Sequence, residues 1–149
     1  MATRNYSSDL ITCAWLGIQN LAEGADGDGD WFTPSNNNPR WTVSQDRVGN
    51  MTRNYDARRA GTVVIAIKRS SAQSTILHAI AKADRTTRDQ VGHMTVFDPN
   101  KNEKIIFTNA FILDEPPPAF GQTDTTESWT FAWESMDTPV TAVANLIGS

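Results

Sequence analysis

Alternation of apolar positions begins at residues 9–18, where Leu10, Thr12, Ala14 and Leu16 interleave with Ile11, Cys13, Trp15 and Gly17. Both sets are largely apolar, which predicts a strand covered on both faces. Residues 20–39 lose the rhythm: Gly, Asp, Asn and Pro dominate, and the stretch reads as one long loop. A loop of that length is uncommon inside a compact domain and usually means function or disorder. The alternation returns from residue 40, with Trp41, Val43, Gln45 and Arg47 against Thr42, Ser44, Asp46 and Val48. Gly49-Asn50 stands where a hairpin turn needs positive φ, and residues 51–55 supply the return strand. Residues 62–68 give the clearest strand, with Val63, Ile65 and Ile67 on one face and Val64, Ala66 and Lys68 on the other.

One segment switches to helical spacing. Ser70 followed by Gln73 forms a capping box, and Ile76, Leu77, Ile80 and Ala81 make a single apolar stripe. Gln73, His78, Lys82 and Arg85 are expected to face away from it. The spacing predicts a helix over about 71–84 whose stripe packs on a sheet. Strand patterning then resumes over 93–97, a turn at 98–102 and a partner strand over 103–113. Pro116-Pro117-Pro118 excludes residues 115–121 from a central strand and makes them a stiff, extended connector. The closing strand spans 126–136, with Trp129, Phe131 and Trp133 on one face and Ser128, Thr130, Ala132 and Glu134 on the other. A mildly apolar tail, 137–149, ends the chain. The expected architecture is mainly β: a single domain over 1–149, an antiparallel barrel or sandwich with one flanking helix.

Composition supports that reading. The 149 residues include 17 Thr, 11 Asn and 10 Ser but only four Lys, with five Trp and six Phe. β-branched and aromatic side chains suit a pleated surface, and this aromatic content excludes wholesale disorder. The single cysteine, Cys13, excludes an intrachain disulfide and is expected to be a small buried apolar residue. Residues 1–8 lack the apolar core of a secretory signal. The longest clean apolar run, 63–67, is far short of a membrane span. A soluble, reducing setting and no membrane binding are therefore expected.

Charge is segregated along the chain. The net charge of −4 conceals blocks of −4 over 1–39, +5 over 40–69, +1 over 70–113 and −6 over 114–149. A monomer gains little from such blocks, whereas complementary potentials fix register when copies stack.

No catalytic pattern emerges. Asp26-Gly27-Asp28-Gly29-Asp30 matches the first three ligand positions of a calcium loop. However, Trp31 stands where the tight turn needs Gly, and Asn37 where a bidentate Glu is needed. His78 and His93 lie on different elements without Cys at metal-ligand spacing. They are expected at surface positions or as polar caps. Adjacent Asp114 and Glu115 would point to opposite sides of a strand and form no acid–base pair. Two further readings arise: nucleic-acid binding through the Arg-rich stretch 40–69 with Trp41 and Tyr55 as stacking platforms, and a sugar platform on the Trp129-Phe131-Trp133 row. The overall acidity weighs against the first, and the core-like spacing of that row weighs against the second. Neither an enzyme nor a bound cofactor or metal is expected.

The order of elements resembles a known family. The segments 45–53 (QDRVGNMTR), 61–67 (GTVVIAI) and 70–77 (SSAQSTIL) are similar to the middle of tail-tube proteins of contractile-tailed bacteriophages. The segments 109–118 (NAFILDEPPP), Phe120-Gly121 and Trp129-Thr130-Phe131 resemble that family's closing part. The resemblance covers roughly 8–136. It implies a β-barrel or sandwich with a flanking helix, an architecture shared with type VI secretion tubes. It also implies a structural virion protein: hexameric rings stacking head to tail into the inner tail tube, assembled in the host cytoplasm, through which DNA passes transiently. Sheath, baseplate, tail terminator and tape-measure proteins are the implied partners. Open strand edges, a hazard for a monomer, would then pair across subunits. The resemblance makes the loop 20–39 and the 47–59 hairpin stacking elements, with Asp26, Asp28, Asp30, Trp31, Arg47, Arg53, Arg58 and Arg59 as contacts between subunits or rings. Its inner sheet would line the lumen through Thr42, Ser44, Thr52 and Asn54. A DNA conduit should keep cations off its lumen, since each phosphate contact adds salt-dependent attraction. The alternatives are a tube or adaptor component of another contractile injection system and a carbohydrate-binding β-sandwich.

Overall fold

The computed structural model describes residues 10–25, 27 and 30–137. The elements are β1 (Thr12–Trp15), β2 (Phe32–Asn36), β3 (Trp41–Gln45), β4 (Met51–Tyr55), β5 (Gly61–Lys68), α1 (Ala72–Thr87), β6 (Gly92–Asp98), β7 (Glu103–Asp114), β8 (Thr126–Trp133) and β9 (Ser135–Asp137), with a 3-10 turn at Leu21–Gly24. The expected tail lies outside the described residues except for Asp137.

Seven strands form one antiparallel sheet in the order β1-β6-β7-β8-β5-β2, with β9 also on β7, while β3 and β4 form a separate ribbon. The long β7 makes this sheet a sandwich. Its first part pairs with β6 and β9, and its last residues, from Phe111, pair with β8. Asn109, at φ +50°, marks the change of partner. The two halves face each other through aromatic rings: Trp15 of β1 meets Phe131 of β8 edge-on at 4.9 Å, and Phe107 of β7 meets Trp133 of β8 at 4.8 Å. The Trp15 indole N–H donates to the Ala110 carbonyl at 3.0 Å, satisfying a buried donor. Val63, Ile65, Ile67, Met94, Phe107 and Trp129 complete a continuous core. The sheet's ends, β1 and β2, are not paired with each other, so the sandwich is open and not a closed barrel.

The strand expected over 9–18 stops at Trp15. Leu16 and Gly17 both take positive φ, and Trp15 and Ile18 exchange backbone hydrogen bonds across them. The expected loop 20–39 is subdivided. Leu21 is fully buried in the 3-10 turn, and residues 32–36 form β2 on the edge of β5. Pro34 hid this strand in the sequence, yet an edge strand tolerates a residue without an N–H.

The helix begins one residue later than its capping box implied. Ser71 is the N-cap, its hydroxyl accepting from the Ser74 N–H at 3.2 Å, and Arg88 closes the C-terminus in the left-handed conformation. Ser70 instead bonds Asp124 through both its N–H and its hydroxyl. The buried face is Ser74, Leu77 and Ala81, while Ile76 is exposed. The stripe is thus rotated toward His78, which was expected to face away.

Candidate assembly interface

The ribbon of β3 and β4 is the feature that the other described residues leave uncovered. The two strands pair in the register Trp41↔Tyr55, Thr42↔Asn54, Val43↔Arg53, Ser44↔Thr52 and Gln45↔Met51. Their turn is held by the Asp46 carboxylate, which accepts from the N–H groups of Val48 (2.9 Å) and Asn50 (2.8 Å). The Asn50 N–H, with others of the turn, holds the Asp46 carboxyl below the usual range. Gly49 takes φ +100°, a conformation that side chains resist. Arg47 and Val48, expected to extend the strand, belong to this turn. All ten strand residues are exposed, and a lone two-stranded ribbon is marginal in water.

Directly paired residues share a face, so the ribbon has two distinct sides. One carries Thr42, Ser44, Thr52 and Asn54, all small, polar and uncharged, with Asn54 donating to the Ser44 hydroxyl at 3.4 Å. The other carries Trp41, Val43, Gln45, Met51, Arg53 and Tyr55. On that side the Trp41 and Tyr55 rings meet at 5.1 Å, and the Arg53 guanidinium lies 4.2 Å over Trp41. Val43 and Met51 are 61% and 65% exposed there, too much apolar surface for a face meant to stay wet. The four residues expected to face a lumen thus stand together on one side of the ribbon.

Arg58 and Arg59 follow at the ribbon's root. Arg58 clamps Asp56 with two guanidinium nitrogens at 2.8–3.2 Å, pulling the Asp56 carboxyl down to about 2. Arg59 reaches the Tyr55 hydroxyl at 3.5 Å and holds that phenol below its ordinary value. Of the acidic contacts, Asp30 is exposed, while Asp26 and Asp28 lie outside the described residues. Trp31 is half-buried, its ring edge-on to Phe32 at 5.6 Å and its carbonyl accepting from Ala66 N–H. It therefore serves its own chain's core. The Trp129-Phe131-Trp133 row is 0–2% exposed, which overturns the sugar platform.

A second polar constellation pins the helix to the sandwich. His78 Nδ1 lies 2.9 Å from a Glu115 oxygen and Nε2 lies 2.9 Å from a Glu127 oxygen. Ser74 and Arg69 also donate to Glu127, and Arg85 to Glu115. Partial burial pushes the His78 pKa down, but the two carboxylates outweigh it and raise the value above normal. Burial likewise opposes ionisation of Glu127, which Ser74 and His78 more than offset, and of Glu115, which His78 and Arg85 more than offset; both carboxyls lie below normal. Sequence reading missed this clasp. Glu127 was detectable, because it is in phase with Trp129 and Phe131; Glu115, 37 residues from His78, was not.

Among the described residues no helix is long and apolar enough to cross a membrane, and no group of His, Cys, Asp and Glu could hold a metal ion. No protein-family model matches the chain and no curated protein does. Solved structures do match. A chain of the PVC extracellular contractile injection system's sheath/tube terminator, in the extended state, aligns with a TM-score of 0.66 at 11% identity, covering 93% of this chain and 99% of that one. A chain of the PVC sheath-tube complex in the extended state aligns at 0.62 and 10% identity, covering 91% of each. A chain of the anti-feeding prophage cap, the AFP tube terminating cap, aligns at 0.60 and 10% identity, covering 93% of each. At such identities what is shared is the fold, over nearly the whole length of each chain.

Proposed function

We propose that this chain is a structural subunit of the inner tube of a contractile tail, in hexameric rings stacked head to tail. The observation that carries the proposal is the ribbon: one face uncharged and polar, the other presenting Trp41, Tyr55, Val43 and Met51 together with Arg53 and Gln45, and both exposed. A ring resolves that arrangement. The apolar face and open strand edges bury against a neighbour, and Thr42, Ser44, Thr52 and Asn54 line the channel. A lumen without cations lets a polyanion such as DNA pass without salt-dependent capture. No catalytic step is assigned to the chain; its work is shape. The fold it shares with components of contractile injection systems supports the reading.

A terminator ring capping such a tube is the second reading, favoured by the likeness to chains of two terminator structures. Cryo-electron microscopy of the purified protein, and of the particle that contains it, tests both. Stacked rings in many copies per particle are expected. One ring per particle would favour the terminator, and a monomer in both settings would sink the proposal.

A further inference from the structure

At the root of the ribbon lies an open cavity of about 80 Å³ lined by Asn36, Asn38, Arg40, Asp56, Arg58, Arg59 and Met136. Three guanidinium groups there face the Asp56 carboxylate, and the Asp137 carboxylate acts on Arg59 from beyond ion-pair distance. Arg58 consumes the first of these through its fork on Asp56. Among the described residues Arg59 hydrogen-bonds the Tyr55 hydroxyl and feels the Asp137 carboxylate at longer range, and Arg40 takes no ion pair. Three guanidinium groups against two carboxylates leave one positive charge in excess beside two side-chain amides, on a protein whose net charge is −4. One water needs about 10–15 Å³ of such space, so the cavity has room for a carboxylate head with a few waters. A phosphodiester flanked by its sugars is bulkier. The fork of a guanidinium suits a planar carboxylate, which it can bind in bidentate fashion.

We infer that this cavity receives a carboxylate from a second copy of the chain. The inference rests on the tube reading and deepens it by naming a polar contact beside the apolar one. The chain supplies matching acids: Asp30 and Asp114 are exposed and take no ion pair among the described residues. The basic cavity adjoins the uncovered ribbon, so a neighbour that buries the Trp41 face also comes within reach of Arg40 and Arg59. Complementary charge there sets which copies dock and in what register.

The test is charge reversal with complementation. The variants are Arg40→Glu with Arg59→Glu, and Asp30→Lys with Asp114→Lys; Arg58 is kept because it holds Asp56. All four side chains are exposed, so circular dichroism and thermal midpoint should match the wild type. Each variant alone should need at least tenfold more protein to form rings or tubes in low salt, and an equimolar mixture should recover wild-type assembly. Wild-type assembly by the arginine variant overturns the cavity's role while the tube reading stands. Lost assembly without rescue in the mixture overturns the carboxylate assignment. Weakened binding to a duplex DNA probe with assembly unchanged overturns it in favour of phosphate. A wild-type chain that never assembles sinks the tube reading itself.

Discussion

The β5–β8 pair and the β3–β4 ribbon look alike on paper and have opposite fates in the molecule. Each is an antiparallel pair with strict alternation and an aromatic row. In β5–β8, Val63, Ile65 and Ile67 stand opposite Phe131, Trp129 and Glu127, and all six are buried. In β3–β4, Trp41 and Val43 stand opposite Tyr55 and Arg53, and all four are exposed. Alternation therefore reports that one face is to be covered without saying by what. The β5–β8 pair is covered by its own chain, whereas the described residues leave the ribbon bare.

That contrast can be broken experimentally, starting where the effect is largest. Trp129→Ala in β8 should cost about 3–5 kcal/mol of folding stability, as truncation of a large buried aromatic leaves a cavity. Denaturant unfolding of the dilute subunit measures it. Gly61→Ala comes next. A methyl there would lie 2.4 Å from the Trp133 ring and 2.5 Å from the Ser35 carbonyl. Overpacking of this kind costs roughly 1–3 kcal/mol, and the same unfolding curves would show it. The cost falls where β2 and β5 emerge from the ribbon, so it also tests whether the root is rigid.

His78→Gln probes the clasp through pH. His78 has a raised folded pKa, so its stabilisation is complete below the unfolded value of about 6.5 and is lost as pH rises through the folded one. Glu115 and Glu127 are lowered, so theirs is present above about 4.3 and lost as pH falls through their folded values. The clasp is whole only between these limits. Thermal midpoint against pH should fall on both sides for the wild type, and the alkaline fall should flatten in the Gln variant. An unchanged alkaline limb would show that the helix is held by packing alone. The smallest effect belongs to the ribbon: Val43→Ser should change dilute-subunit stability by less than about 0.5 kcal/mol, as exposed substitutions do. The same change should impair ring formation, which sedimentation at high concentration reads out.

Much of the fold was legible in the sequence because its signals are local. The hairpin turn at Gly49, the helix, β5 and the β6–β7 pair each follow from alternation, spacing or turn chemistry within a dozen residues. What was missed depended on tertiary context. Consecutive serines at 70 and 71 both suit an N-cap, and Asp124, distant in sequence, decides between them by holding Ser70. Pro34 argued against a strand that only an edge position permits. Of the residues singled out in the sequence, Thr42, Ser44, Thr52 and Asn54 share one face of the ribbon by simple alternation, and Trp31 packs beside Phe32, a contact that no local pattern announces. The basic cavity was illegible as a unit, because it joins residues from β2, the ribbon's root and β9.

The buried position of Cys13 gives the molecule an internal clock. The side chain is 0% exposed, and burial pushes its thiol up to about 12. At pH 8 the reactive thiolate is on the order of one part in ten thousand while the sandwich is closed. Alkylation must therefore wait for β1 to come away from β6, and the rate at which a thiol reagent is consumed counts those openings. Because the reporter sits in the sandwich and not in the ribbon, a slower rate on assembly would mean that joining neighbours tightens the subunit's interior as well as its rim.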